Sequence, residues 1–257
     1  MSSNFIIKTT NLILGYHNHK INETAIDLNI SKNKMIAVLG NNGSGKSTLL
    51  KTLGKHQTPI SGKVFLGSND LNTIDYKELA TQISWVTSKI QISEQLSVFD
   101  FVALGRQPYT NWLDQLSVND IKIINEVIKL CGIDFIKEKK VSQLSDGQLQ
   151  LVQIARAIAQ DTPVILLDEP TSHLDITNKV KVFKILKKLT KNHNKTIIFS
   201  SHEVDLCLQL CDEAICVDNK KISHNTIQKL IESNAITKLF DSDILKFNSL
   251  QKRFEIK

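Results

Sequence analysis

Eight consecutive residues, Gly40, Asn41, Asn42, Gly43, Ser44, Gly45, Lys46 and Ser47, match the pattern G-x-x-x-x-G-K-[ST], with Thr48 next. Glycines at these places let backbone N–H groups wrap a phosphate without obstruction by a Cβ. Lys46 is expected to reach the β- and γ-phosphates of a nucleotide, and the Ser47 hydroxyl to ligate Mg²⁺. A second site candidate lies far along the chain, where the apolar run Val164 to Leu167 ends in Asp168 and Glu169. A carboxylate at the carboxyl end of a buried strand sits where open α/β sheets take ligands. Asp168 suits Mg²⁺, and Glu169 is placed to polarise an attacking water as general base.

These residues need elements to carry them. Met35 to Leu39 is a short apolar run entering the glycine loop, hence a buried strand, and the residues from Ser47 read as a helix ending near Gly54. Residues 5–7 and 25–30 alternate as strands, and Lys63 to Leu66 follows a Ser-Gly turn. From Ser97 to Val141 the pattern is mostly helical. Ser117 and Asp120 form a capping pair there, and Ile121, Ile124 and Ile128 share one expected face. Gln148 to Ala159 and Ile176 to Thr190 read as helices, Thr196 to Phe199 as a buried strand, and Glu203 to Leu210 as a helix. A hairpin is expected from Ala214 to Ile222, then a tail from His224 of helix and one short strand. Alternation of strand and helix predicts an α/β fold with a mainly parallel sheet.

The 257 residues are 41% hydrophobic and 23% charged, with a net charge of +6, which excludes a disordered chain. A basic balance suits nucleotide phosphates, nucleic acid or an anionic membrane surface. The lysine clusters are short and read as solvated helix faces, and 6% aromatic residues give little stacking surface for single strands. Cys131, Cys207, Cys211 and Cys216 form no CxxC pair; Cys207 and Cys211, set among Leu206, Leu208 and Leu210, are expected as buried free thiols, which suits a reducing compartment. The amino terminus has no secretory h-region, and no apolar run approaches the ~18 residues of a membrane span.

Three further segments complete a pattern: Leu144-Ser145-Asp146-Gly147-Gln148 before a helix, Ser172-His173-Leu174-Asp175 after Pro170-Thr171, and His202 after the strand at 196–199. Their order and spacing, with the phosphate loop and the acidic strand end, resemble the nucleotide-binding subunit of ATP-binding cassette (ABC) transporters over nearly the whole chain. The resemblance implies a P-loop NTPase (RecA-like) core with an amino-terminal antiparallel region and an inserted helical subdomain. The core is then about 1–88 and 160–222, the helical subdomain about 89–159, and the tail 223–257. It also implies ATP and Mg²⁺, and a homodimer closing head to tail over two ATP molecules. Ser145, Gly147 and Gln148 of one copy would then face residues 40–48 of the other. Asp175 would bridge the copies, His202 would contact the γ-phosphate, and Tyr16 would stack on adenine.

Two departures stand out. The signature, usually LSGGQ, has Asp146 as its third residue, placing a Cβ and a negative charge near a triphosphate. The glutamine that follows the strand near Ile83 to Val86 in the family falls on Ser88 here, with Gln91 three residues later. The segment VFDFVALGRQP, Val98 to Pro108, resembles the ATPases of iron–siderophore, haem and cobalamin importers. That branch implies integral membrane permease partners, docked near residues 86–110 at the cytoplasmic face, and an extracytoplasmic substrate-binding protein. Importers of zinc or manganese, exporters, and ATPases acting on ribosomes or DNA are the competing readings. No nucleic-acid partner is expected, because there is one cassette, no heptad array and no basic arm.

Overall fold

The computed structural model describes residues 5–16, 19–87, 95–172, 174–218, 221–240 and 243–257. The chain opens with β1 (Phe5–Ile13), a small hairpin of β2 (Gly15–Tyr16) and β3 (His19–Lys20), and β4 (Asn29–Ser31). Next come β5 (Met35–Leu39), the glycine loop, α1 (Lys46–Leu53), β6 (Ser61–Leu66), β7 (Asn69–Asp70), α2 (Tyr76–Gln82) and β8 (Ile83–Val86). Three helices follow: α3 (Val98–Ala103), α4 (Val118–Cys131) and α5 (Asp146–Ala159). The chain then runs through β9 (Val164–Leu167), α6 (Ile176–Asn192), β10 (Thr196–Ser200), α7 (Val204–Leu210), β11 (Glu213–Asp218) and β12 (Lys221–Thr226). It ends in α8 (Ile227–Glu232), α9 (Ala235–Leu239) and a hairpin of β13 (Leu245–Asn248) and β14 (Arg253–Ile256).

The main sheet has the order β12-β11-β5-β10-β9-β8, parallel except for the edge strand β12. Its central strands β5, β9 and β10 are buried along their whole length because both faces are covered, whereas the edge strand β12 is polar and mostly exposed. Met35, Ala37 and Leu39 of β5 enter one buried cluster with α4, α5 and α6, while Ile36 and Val38 enter another with α1 and the antiparallel sheet. The same two-residue alternation separates Ile165 and Leu167 from Val164 and Leu166 in β9. The antiparallel sheet β4-β1-β6-β7 packs on the second face. In the register Ser200 stands beside Val38, and Phe199 beside Leu167. The carboxyl ends of β5, β9 and β10 therefore finish at one edge, where the glycine loop, Asp168-Glu169 and His202 emerge.

Some local expectations change. Only Asn29–Ser31 of residues 25–30 forms a strand, joined by a single bridge between Leu12 and Ile26. The Thr9 hydroxyl donates to Ile26 O at 3.1 Å and accepts from Leu28 N at 2.8 Å, so side-chain bonds interrupt the ladder. Ser117 and Asp120 do form a capping box on α4. The buried face there is Ile124, Val127, Ile128 and Cys131, whereas Ile121 is 42% exposed. In the tail, His224 lies in β12 and the end is a hairpin, not one strand. Its Phe247 and Phe254 pair across the two strands, which lets the hairpin bury an aromatic face against α7. Burial pushes the thiols of Cys131 and Cys216 up to about 12. Among the described residues no helix is long and apolar enough to cross a membrane.

Candidate functional site

The glycine loop leaves β5 and turns into α1 through Gly45, whose φ of 106° is left-handed. A Cβ on Gly45 would meet Ile21 Cγ2 at 2.4 Å, and one on Gly40 would meet Val217 O at 2.3 Å and Ser44 Oγ at 2.6 Å. The loop is thus a cradle that side chains at these two glycines would fill. Its helix presents unbonded N–H groups to whatever lies above, the arrangement that binds phosphate. Lys46 Nζ donates to Gly40 O at 2.9 Å and Asn41 O at 3.0 Å, which holds the ammonium over the loop. Burial lowers the Lys46 pKa, and the charges of Glu169 and Asp168 oppose that shift. Among the described residues, Ser44 Oγ has no hydrogen-bond partner although it is buried among these atoms.

The acidic strand end closes onto the loop. Ser47 Oγ donates to Asp168 Oδ1 at 2.9 Å, and Ser200 Oγ donates to the same oxygen at 2.7 Å. Ser200 Oγ also accepts from Glu169 N at 2.8 Å. Glu169 has a φ of 52°, uncommon for a residue with a Cβ and worth about 1–3 kcal/mol of strain. The strain is held by that bond and by Ser172, whose hydroxyl donates to Glu169 O at 3.0 Å. The Glu169 carboxylate stands 3.1 Å from His202 Nε2, and both side chains remain partly exposed. A carboxylate and an imidazole thus share one opening.

That opening is a cleft of about 700 Å³ lined by Tyr16, His19, Ile21, Asn42, Gly43, Gly45, Lys46, Ser47, Thr48, Glu169 and His202. Gly40, Asn41 and Ser44 belong to the loop without lining it, and Asp168 lies behind Ser47. Tyr16 is 40% exposed at the rim, and its hydroxyl accepts from Thr48 Oγ1 at 3.2 Å. His19, Ile21 and Ser200 did not emerge from the sequence. Ser200 had one signal, a polar residue ending a buried strand; the other two had none.

The remaining predicted residues do not line the cleft. Ser145 caps α5 in a capping box with Gln148, and Asp146 is exposed in the first helical position. Its φ is not positive, so the backbone there does not require glycine. Asp175 caps α6 by accepting from Asn178 N at 2.8 Å. That backbone bond leads the causes that hold its carboxyl below the usual range. The two caps are neighbours, because a Cβ on Gly147 would lie 3.5 Å from Asn178 Nδ2 and from Leu174 Cδ2. Ser145, Gly147, Gln148 and Asp175 thus form a second cluster. Ser88 and Gln91 lie outside the described residues, as does His173.

Ser47 and Asp168 offer hard oxygen donors 2.9 Å apart, and no cluster of three or more His, Cys, Asp or Glu ligands occurs among the described residues. This donor set fits Mg²⁺, which takes one or two protein ligands and fills its octahedron from phosphates and water.

Comparison with known proteins agrees with the geometry. The ABC transporter family matches residues 24–172. An achromobactin transport ATP-binding protein of Dickeya dadantii is 36% identical over 214 residues, covering 83% of this chain and 79% of its own. An ABC transporter ATP-binding protein of Methanocaldococcus jannaschii is 33% identical over 253 residues, 98% of this chain and 87% of its own. A structure described as an inward-facing metal-chelate type ABC transporter superposes with a TM-score of 0.79 at 28% identity, covering 92% of this chain and 89% of that one. A dimeric ATP-binding cassette bound to ADP and phosphate gives 0.75 at 27% identity, covering 86% and 98%. With the family match over more than half of its length and these relatives, the chain belongs to the ABC transporter family, as an ATP-hydrolysing subunit of the importer branch.

Proposed function

We propose that this subunit energises import of iron–siderophore or related chelates, a class that includes haem and cobalamin. The observation that carries the catalytic part is the hydrogen-bonded chain Ser47–Asp168–Ser200–Glu169, with His202 beside Glu169. The substrate part is supported by relatives named for achromobactin, petrobactin and cobalamin import. Residues 89–159 are read as the helical subdomain and residues 1–88 and 160–222 as the core.

In this reading ATP lies in the cleft with its adenine on Tyr16 and its phosphates on the N–H groups of residues 40–48. Lys46 leaves its loop carbonyls for the β- and γ-oxygens, an exchange of one acceptor for a charged one. Ser47 and Asp168 would hold a Mg²⁺ ion, which supplies positive charge to the β- and γ-phosphate oxygens. Glu169 accepts a hydrogen bond from water, aims its oxygen at the γ-phosphorus and takes its proton as the new P–O bond forms. The P–O bond to the β-phosphate breaks as the new one forms, yielding ADP and phosphate. His202 donates to the γ-phosphate through a ring N–H. The second cluster serves the other site of a homodimer. There Ser145 and the Gly147 N–H meet the partner's γ-phosphate, with Gln148 fixing the cap and Asp175 at the seam. A dimeric cassette among the structural relatives supports this arrangement. The subunit then works at the cytoplasmic face of the membrane. It is docked on permease subunits served by an extracytoplasmic binding protein.

Two measurements test it. Glu169→Gln should lower ATP hydrolysis by about 10²-fold or more while ATP still binds and a dimer accumulates; a normal rate rejects Glu169 as the base. Cells lacking this protein should lose uptake of labelled ferric siderophore, haem or cobalamin, and unchanged uptake of all three rejects the substrate class.

A further inference from the structure

The tail and the first turn of α6 meet at a place that the reaction as described does not use. A second cleft of about 510 Å³ opens behind His202, and its walls include Ile176, Lys179, Glu203, Phe240 and Phe254. Glu203 is the cap residue of α7, yet its side chain makes no capping bond. It reaches instead to Lys179 of α6, with Oε1 2.5 Å from Nζ and both side chains about three-quarters buried. Two residues on, Asp205 Oδ1 accepts from Phe254 N of β14 at 3.1 Å. Phe254 is itself wedged against Phe240 and Phe247, with ring centroids 5.7 and 5.0 Å apart. The tail also touches the phosphate loop, where Asn41 Nδ2 donates to Leu239 O at 3.4 Å.

The segment carrying His202 is tied to β5 by Ser201 N, which bonds to Val38 O at 3.3 Å, and the His202 ring meets Glu169 at 3.1 Å. Glu203 N bonds to Ser201 Oγ at 3.0 Å and Val204 N to His202 O at 3.0 Å, both within the segment. The helix after it is only seven residues long. Partly exposed ion pairs add little to stability, so the value of Lys179–Glu203 lies in where it places its neighbour.

We propose that Lys179 and the carboxyl-terminal hairpin position His202, by gripping Glu203 and Asp205 on the two residues' outer sides. The inference rests on the reading of His202 as a γ-phosphate contact. Lys179 is a positioning residue, since it reaches the reaction only through the Glu203 backbone. Its own N–H bonds to Asp175 O at 2.9 Å, so one turn of α6 links the proposed dimer seam to His202.

The test measures ATP hydrolysis by the purified full-length chain. Misplacement of a group by about 1 Å can cost up to 10²-fold, so Lys179→Gln and Asp205→Ala are each expected to lower kcat by roughly five- to tenfold. KM for ATP should change less than twofold, because His202 acts on the transition state. Lys179→Arg should restore kcat to within about twofold, because the contact is one charge-assisted bond to Glu203 Oε1 that a guanidinium N–H can also make. In a His202→Ala background, Lys179→Gln should cause no further loss, the signature of two groups acting through one contact. A wild-type kcat in Lys179→Gln beside an impaired His202→Ala rejects the brace alone, as does a full additive loss in the double variant. A wild-type rate in His202→Ala rejects the underlying role of His202, and the brace with it.

Discussion

Replacing Ser200 with alanine isolates the joint between the two halves of the catalytic edge. The residue is fully buried at the end of β10, and its hydroxyl serves two groups at once. It donates to Asp168 Oδ1 at 2.7 Å and accepts from Glu169 N at 2.8 Å. Loss of the first removes a bond to a charged acceptor, and loss of the second leaves a backbone donor unpaired on a residue at φ 52°. Together these predict about 2–5 kcal/mol of lost stability, taking the usual ranges for a charged bond and an orphaned donor. For a chain of this size the middle of that range corresponds to a fall in Tm of about 7–14 °C. Thermal unfolding without nucleotide reads it directly. The Glu169 backbone would also lose a tether, so kcat should fall about tenfold with ADP affinity within twofold, as expected of a misaimed base. A Tm within 2 °C of wild type, at an unchanged rate, would refute the reasoning that Ser200 holds Glu169 in its strained conformation.

Two other outcomes follow from the helical region. Asp120→Ala should lower the unfolding free energy by about 3–5 kcal/mol in a urea titration, because it leaves the Arg106 guanidinium buried without its anion. Arg106 Nε lies 2.8 Å from Asp120 Oδ1 and its Nη1 donates to Ala159 O at 2.8 Å, with both charged side chains 6% exposed. Burial raises the Asp120 pKa, yet the bonds from Ser117 and Arg106 outweigh it and hold the carboxyl below its usual range; a loss under 1 kcal/mol would contradict this. Asp146→Gly should cost about 1 kcal/mol of stability, from lost helix propensity and a lost charge at the positive end of α5. The same change should raise ATP affinity or the hydrolysis rate by removing a negative charge from the surface proposed to meet a partner's triphosphate. Unchanged kinetics would show that Asp146 imposes no electrostatic penalty.

What the sequence determined by itself was local. The glycine cradle and the apolar runs at 35–39, 164–167 and 196–199 are legible because backbone geometry and burial impose their demands over a few residues. The capping box at Ser117 and Asp120 is equally local, since both bonds close within one turn. Chain order then carried the family likeness, and with it the strand-helix alternation of the core. Tertiary structure alone decided which distant groups touch. Ser200 lies 32 residues from Asp168, and only the parallel register of β9 and β10 sets its hydroxyl on that carboxylate. Ile121 has the right spacing for the buried face of α4 yet faces solvent, because periodicity gives a stripe but not its exact azimuth against α5. The tail showed no motif, since its meaning lies in contacts from Leu239 to Asn41 and from Phe254 to Asp205, 198 and 49 residues away. Bonds of that span depend on how the sheet brings strand ends together, and no short window of sequence contains that information.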